Sequence, residues 1–210
     1  MRKDMELFSQ LVNWDNTQLK KVINAKSFIC GFCGDKVSSD MAFKIGEHPD
    51  GSKTIDGKGI FICPSCKAPT FFEPFYDKQH PGQKIGESIK NLEDRSIATL
   101  YDEARNSFAA RAYTGVVLLS RKMLMNLSVV FGAEEGKSFV YYVNFLEDNH
   151  YIPKSTRAWV DSIRSQGNEA THKIELKTEE EAQMILKFIE MLLKIHFEYP
   201  QYIVPPADSE

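Results

Sequence analysis

All four cysteines of this chain fall into two short pairs, and no other feature limits its fold as much. The pairs are Cys30-Gly-Phe-Cys33 and Cys63-Pro-Ser-Cys66, with 29 residues between them. A Cys-x-x-Cys turn brings two thiolates to one side of a tight bend. Two such turns facing each other complete a tetrahedron around Zn²⁺, the pattern of a zinc ribbon. Gly31 and Gly34 give the first turn room to bend, since glycine accepts positive φ at little cost. Pro64 pre-sets the second turn. Short strands are expected at Ser27–Ile29, Gly59–Ile62 and Thr70–Phe72. The alternatives are two disulfides or a redox Cys-x-x-Cys. A redox pair needs only one motif, at a helix start in a βαβ unit, and neither motif has that setting. Cys30, Cys33, Cys63 and Cys66 close the metal's shell by themselves, so the expected zinc is structural.

The remaining sequence sets the frame around this site. At 210 residues and 42% hydrophobic, the chain can bury a real core in one large domain or two small ones. The net charge of −3 argues against a whole-molecule electrostatic grip on nucleic acid. Residues 27–72 balance five lysines against five carboxylates, and residues 86–210 carry 14 basic and 19 acidic side chains. Any nucleic-acid contact is therefore expected from a local patch. The start, Met1-Arg-Lys-Asp-Met-Glu, has no apolar core of a secretory leader, and no apolar run is long enough for a bilayer. A reduced, cytoplasmic setting without a membrane partner is the expectation, and it suits thiolates that hold zinc.

Apolar spacing divides the chain. Met5, Phe8, Leu11, Val12, Leu19 and Val22 read as a helix or two over residues 4–24. Residues 46–58 are rich in turn formers and read as an exposed hairpin loop, in which His48 is a solvated side chain and not a fifth ligand. Pro74, Pro81, Gly82 and Gly86 mark a linker. From residue 91 onward the period is helical. The stripes are Leu92, Ile97, Leu100, Tyr101, Ala104, Phe108 and Ala109; Val116, Leu119, Met123, Leu127, Val130 and Phe131; and Phe139, Tyr142, Val143 and Leu146. Gly132 ends the second of these helices. A fourth helix is expected to begin at Ser155 or Thr156. A fifth starts at a Thr178-Glu-Glu-Glu181 capping box, with Ala182, Ile185, Ile189, Leu192 and Ile195 inward. The expected organisation is an N-terminal helical segment (1–26), a ribbon (27–73), a linker (74–90), a helical bundle (91–200) and a tail (201–210). The fold class is α+β: a small four-cysteine zinc ribbon followed by an all-α antiparallel bundle.

One expected helix has a polar row. In the run from Trp159 to His172, Arg164, Asn168 and His172 recur every fourth residue, while Trp159, Val160, Ile163 and Ala170 take another face. Arginine can clamp a phosphate and histidine can move protons near neutral pH, so the row suits metal-independent phosphodiester cleavage. The plain alternatives stay open. Gly167-Asn168 can be a helix C-cap, Arg164 can pair with Asp102 or Glu103, and His172 can cap a carbonyl.

Several strings together resemble a known family. They are Ile97-Ala-Thr-Leu-Tyr-Asp-Glu-Ala104, Ala112-Tyr-Thr-Gly-Val-Val-Leu-Leu-Ser-Arg121 and Ile163-Arg-Ser-Gln-Gly-Asn-Glu-Ala-Thr-His172, with the Glu-rich start of the last helix. Over roughly residues 85–200 the chain resembles the bacterial family catalogued as domain of unknown function forty-one forty-five, in which an upstream cysteine quartet is also familiar. That family is similar to the HEPN helical superfamily, which includes RNases of toxin–antitoxin and antiphage systems. The resemblance implies a HEPN-like bundle and a homodimer. It also implies a role with RNA, DNA or a partner defence protein. Carried over, Arg164 would bind phosphate and His172 would act as acid or base, with Asn168 between them. Seven residues separate Arg164 from His172 here, a longer gap than in those RNases. Each extra helical residue turns the partner by about 100°. Two function classes follow: an accessory or recognition protein in a defence or mobile-element setting, or a metal-independent endoribonuclease.

Overall fold

The structure is a computed structural model that describes residues 20–44, 57–73, 78–153, 156, 159 and 176–202. The chain divides into two compact units, Met1–Ile85 with Ala109–Arg111, and Gly86–Phe108 with Ala112–Glu210.

The first unit is built on a five-stranded antiparallel meander. Its strands are β1 (Lys20–Ile29), β2 (Lys36–Lys44), β3 (Gly59–Ile62), β4 (Pro69–Phe72) and β5 (Gln79–His80), each paired with the next in sequence. Side chains alternate across a pleated strand. The register Phe28↔Val37, Ala42↔Phe61 and Gly59↔Phe72 therefore sends one set of apolar residues to a single face. Phe28, Val37, Ala42, Phe61, Ala68 and Phe72 bury there together with Cys30, Cys63 and Cys66. The Phe72 ring meets Phe28 and Phe61 edge-on, with centroids 5.2 and 5.6 Å apart, the arrangement that ring quadrupoles favour.

Two expectations change here. Residues 20–26, read as the end of a helical segment, belong to β1. Hairpin pairing with β2 wins over the helical spacing, and the register shifts between Lys21 and Lys26 as a bulge. The earlier part of that segment lies outside the described residues, as does most of the loop 46–58, His48 included. The second change is at 74–90. Of this linker, Gln79–His80 is a strand, and the Gln79 amide donates to the carbonyls of Ile29 (2.9 Å) and Pro81 (3.1 Å). Lys84 is buried and donates to the Phe32 carbonyl at 3.3 Å. Buried donors and acceptors need partners, and the sheet supplies them.

The second unit carries four α-helices among the described residues: α1 (Arg95–Ala109), α2 (Tyr113–Val130), α3 (Phe139–Asp148) and α4 (Glu179–Leu193). Their starts follow from capping chemistry. The Asp94 carboxylate accepts from the amides of Ser96 and Ile97. Ser138 accepts from the Tyr141 amide. Thr178 and Glu181 form the full capping box. Gly132, at φ 102°, follows the end of α2. Helix α2 packs against α3 and α4. Val116, Val117, Met123, Leu124 and Leu127 are buried on α2, all four apolar positions expected on α3 are buried, and Ile185, Leu186, Phe188, Ile189, Leu192 and Leu193 are buried on α4. The α2 stripe is turned from the expected one, since Val130 is exposed while Leu124 and Ser128 are buried. Ser128 tolerates burial because its hydroxyl reaches the Leu124 and Tyr142 carbonyls. After Leu193 the chain continues as a π-turn (Lys194–Glu198) and a 3₁₀ turn (Tyr199–Tyr202). No helix among the described residues is long and apolar enough to cross a membrane.

Candidate metal centre

Each cysteine pair sits in the same backbone loop. At the first, the Gly34 amide donates to the Cys30 carbonyl (2.9 Å) and the Cys30 amide to the Asp35 carbonyl (3.0 Å). At the second, Lys67 donates to Cys63 (2.9 Å) and Cys63 to Ala68 (3.0 Å). The equivalent residues Gly34 and Lys67 both take positive φ, 82° and 61°. The first loop follows β1 and the second joins β3 to β4, so the sheet itself brings them face to face.

The four sulfurs then lie within 4.8 Å of one another. Cys30 Sγ is 3.7 Å from Cys66 Sγ, and Cys33 Sγ is 3.8 Å from Cys63 Sγ. A tetrahedron with metal–sulfur bonds of about 2.3 Å has edges of about 3.8 Å. All four cysteines are free thiols, and the two contacts at 3.7 and 3.8 Å join one pair to the other. Three of the thiols are buried and Cys33 is half-buried. In this crowd protons are shared unequally. Cys30 is lowered to about 7, first by the Cys33 thiol. Cys63 is driven well below the usual thiol range, first by its hydrogen bond with Cys30. Cys33 and Cys66 are pushed up, each first by Cys30. Four neighbouring thiolates repel without a cation, and a metal ion removes that conflict. The donor set and its spacing can hold a metal that accepts four sulfurs in a tetrahedron.

The two glycines of the first loop have different roles. Gly34 supplies the positive φ. Gly31 does not; it makes space. A Cβ there would stand 2.4 Å from the Gly82 carbonyl oxygen and 2.6 Å from Pro81 Cγ. Gly31→Ala is expected to cost more than Gly34→Ala, because the former must displace backbone while the latter meets the αL penalty of about 1–2 kcal/mol. Lys67→Gly should be neutral or mildly stabilising for the same reason. Denaturant unfolding of the three variants checks the order; equal losses at Gly31 and Gly34 would remove the packing role.

Arg164, Asn168 and His172 lie outside the described residues. The described part instead contains a polar cluster that the apolar stripes did not announce. Arg105, on the buried side of α1, is 1% exposed. Its Nη2 donates to the Gly86 carbonyl at 2.7 Å, and its Nη1 approaches Ser88 Oγ (3.4 Å) and Asp102 Oδ1 (3.5 Å). Glu190 accepts from the Glu87 amide at 2.8 Å, Lys194 pairs with the Glu87 carboxylate, and Glu198 accepts from the Lys90 amide at 3.2 Å. The Tyr101 hydroxyl is buried without a hydrogen-bond partner among the described residues, and burial pushes its pKa up. The one sequence signal was Arg105 itself, a charge inside the α1 stripe beside Ala104 and Phe108.

Neither the curated proteins nor the solved structures contain a match to the chain. Downstream of the cysteine site, residues 102–203, which take in α2, α3, α4 and the later part of α1, fit the family model described as "Domain of unknown function (DUF4145)", and that stretch is similar to this family.

Proposed function

We propose that this protein is a zinc-binding accessory or recognition protein associated with nucleic acid, in a defence or mobile-element setting. Cys30, Cys33, Cys63 and Cys66 hold one structural Zn²⁺, and the helical unit is a HEPN-like bundle. The observation that carries the metal assignment is the set of four sulfurs within 4.8 Å of one another, with Cys30–Cys66 and Cys33–Cys63 at 3.7 and 3.8 Å. Four protein thiolates leave no coordination position for a substrate, so the metal supplies shape and not chemistry. The defence setting and the HEPN-like assignment rest on the family resemblance. With it comes a C2 homodimer through the helix read over 156–172, in the cytoplasm, with RNA, DNA or a partner defence protein as the target. Elemental analysis of purified protein is expected to give about one zinc per chain. Protein without metal and without free thiols would overturn the assignment, and stoichiometric iron would replace zinc.

The endoribonuclease reading makes the opposite prediction at one residue. If the row of Arg164, Asn168 and His172 were catalytic, His172→Ala would lower RNA cleavage by roughly 10²–10⁴-fold through loss of proton transfer. Arg164→Ala would slow it by removing a clamp on the phosphoryl charge. Products would end in a 2′,3′-cyclic phosphate and brief EDTA exposure would not inhibit. The recognition reading expects wild type and His172→Ala to act alike on RNA and in cells under the same trigger. A wild-type cleavage activity that His172→Ala abolishes would replace it.

A further inference from the structure

The four thiols of the metal centre are not equally sheltered. Cys30 and Cys63 are 0% exposed and Cys66 is 3% exposed, while Cys33 is half-buried. The backbone accounts for the difference. Cys30 directly follows β1, and Cys63 directly follows β3. Cys33 sits farther along its loop, between the half-buried Phe32 and Gly34, where the chain turns out to the exposed Asp35 and Lys36. One corner of the cluster therefore meets solvent, and Cys33 forms that corner. Its contact across the cluster is the fully buried Cys63, with the two sulfurs 3.8 Å apart.

Exposure decides which thiolate an oxidant reaches first. A small hydroperoxide arriving from solvent meets the Cys33 sulfur before the other three. Attack by that sulfur on hydrogen peroxide breaks the O–O bond, leaves a sulfenic acid and releases hydroxide. Cys63 then attacks the Cys33 sulfur, the disulfide forms and a second hydroxide leaves. Two thiolates have then given two electrons to one peroxide. The sulfurs close from 3.8 Å to the roughly 2.05 Å of a disulfide bond. Cys30 and Cys66 remain, 3.7 Å apart, and two donors do not complete a closed four-donor site. The inward face of the sheet has only three large rings, Phe28, Phe61 and Phe72, so loss of ligation is loss of folding free energy.

We propose that the cysteine site is a hydroperoxide-responsive switch, with Cys33 the sensing thiol and Cys63 the resolving one, whose oxidation releases the metal and loosens the sheet. This deepens the metal part of the reading above and rests on it. A small thiol reverses the step: it attacks the disulfide, restores both thiolates and leaves as its own disulfide. Zinc then rebuilds the sheet. Residues 86–210 contain no cysteine, so the helical unit does not respond.

The test treats the zinc-loaded full chain with hydrogen peroxide. Zinc release is followed with a chromogenic chelator, thiols are counted, and disulfides are mapped by peptide mass. The expected result is release of about one zinc per chain, loss of two of the four thiols and a single disulfide from Cys33 to Cys63. The sheet's melting transition should vanish while the helical band stays, and dithiothreitol with zinc should restore both. Dimedone, which traps sulfenic acid, should label Cys33 first. Cys33→His keeps a ligand in a standard three-cysteine, one-histidine set and should hold its zinc through the same exposure. Cys66→His leaves Cys33 in place and should release zinc as readily as wild type. Metal content before peroxide shows that each variant is loaded; where one is not, the label and the disulfide map of the wild type decide. A chain that neither carries zinc nor takes it up overturns the metal reading and this proposal together. A loaded chain that keeps its zinc under peroxide, is labelled first at another cysteine or first joins another pair overturns the switch alone.

Discussion

Stripping the metal from the four-cysteine site is expected to unfold the sheet and leave the helical signal standing. The inward face of the sheet is small. Its large buried side chains are the rings of Phe28, Phe61 and Phe72, with Val37 and two alanines beside them. Burying a phenylalanine is worth roughly 1.5–3 kcal/mol, so three rings contribute less than the roughly 10–16 kcal/mol that structural zinc supplies to finger-sized peptides at neutral pH. The thiolates also need the cation, since Cys30 to Cys66 and Cys33 to Cys63 are within 3.8 Å. Incubation with a strong chelator should therefore remove the sheet's cooperative transition. Cys63→Ser should do the same without chelator, because one of four donors is lost at a buried position. The buried faces of α2, α3 and α4 contain no metal donors, and far-ultraviolet circular dichroism should retain most of its helical intensity. Chelated protein that melts within about 1 kcal/mol of the holoprotein would show that hydrophobic packing alone holds the sheet.

Local rules specified some parts of this fold from sequence and left others hidden. The Thr178 capping box, the Gly132 stop and the buried set Phe139, Tyr142, Val143 and Leu146 each depend on residues within one or two helical turns. The cysteine cluster was also visible, because a thiolate has few structural uses and the spacing of two pairs selects among them. Strand β2 was not. Its sequence, Lys-Val-Ser-Ser-Asp-Met-Ala-Phe-Lys, carries two serines and an aspartate where β-branched residues are usual. Ser39 is buried there because its hydroxyl reaches the Ile62 carbonyl at 2.6 Å, a partner 23 residues away. The pairings of Phe43 with Ile60, Ile60 with Phe71 and Phe71 with His80 are hidden for the same reason, since these residues become neighbours only through register. Gly31 was noticed for the wrong cause: its missing side chain makes room for Pro81 and Gly82, a contact that spacing along the chain does not encode.

Arg105 gives the second large effect, and its size follows from burial. Leaving a buried acceptor without its donor costs roughly 1–3 kcal/mol, and a large-to-small change in a packed site adds a cavity to it. Here the principal partner is a carbonyl, that of Gly86 at 2.7 Å, while Asp102 stands farther off at 3.5 Å and is partly exposed. The upper end of that range is the fitting estimate, because truncating a side chain that is 1% exposed also leaves a cavity. Gly86 cannot easily move to compensate. Its φ is 76°, and a Cβ would lie 2.6 Å from the Tyr101 hydroxyl. Arg105→Ala leaves a cavity beside Tyr101 and an acceptor without its donor, and should lower the helical unit's stability by about 3 kcal/mol, or roughly 10 °C in Tm. Arg105→Lys should recover little, because an ammonium lacks the planar fork that reaches Gly86 and Ser88 together. Arg105→Met fills most of the volume but cannot donate, so it should fall between wild type and alanine. Thermal melts of the three variants, followed at the helical band, test this. If alanine costs under about 1 kcal/mol, the range of an ordinary surface substitution, the Gly86–Lys90 segment is held instead by Glu190, Lys194 and Glu198. Glu190→Gln would then be the more damaging change, since Glu190 accepts from the Glu87 amide and pairs with Lys194 at 3.5 Å.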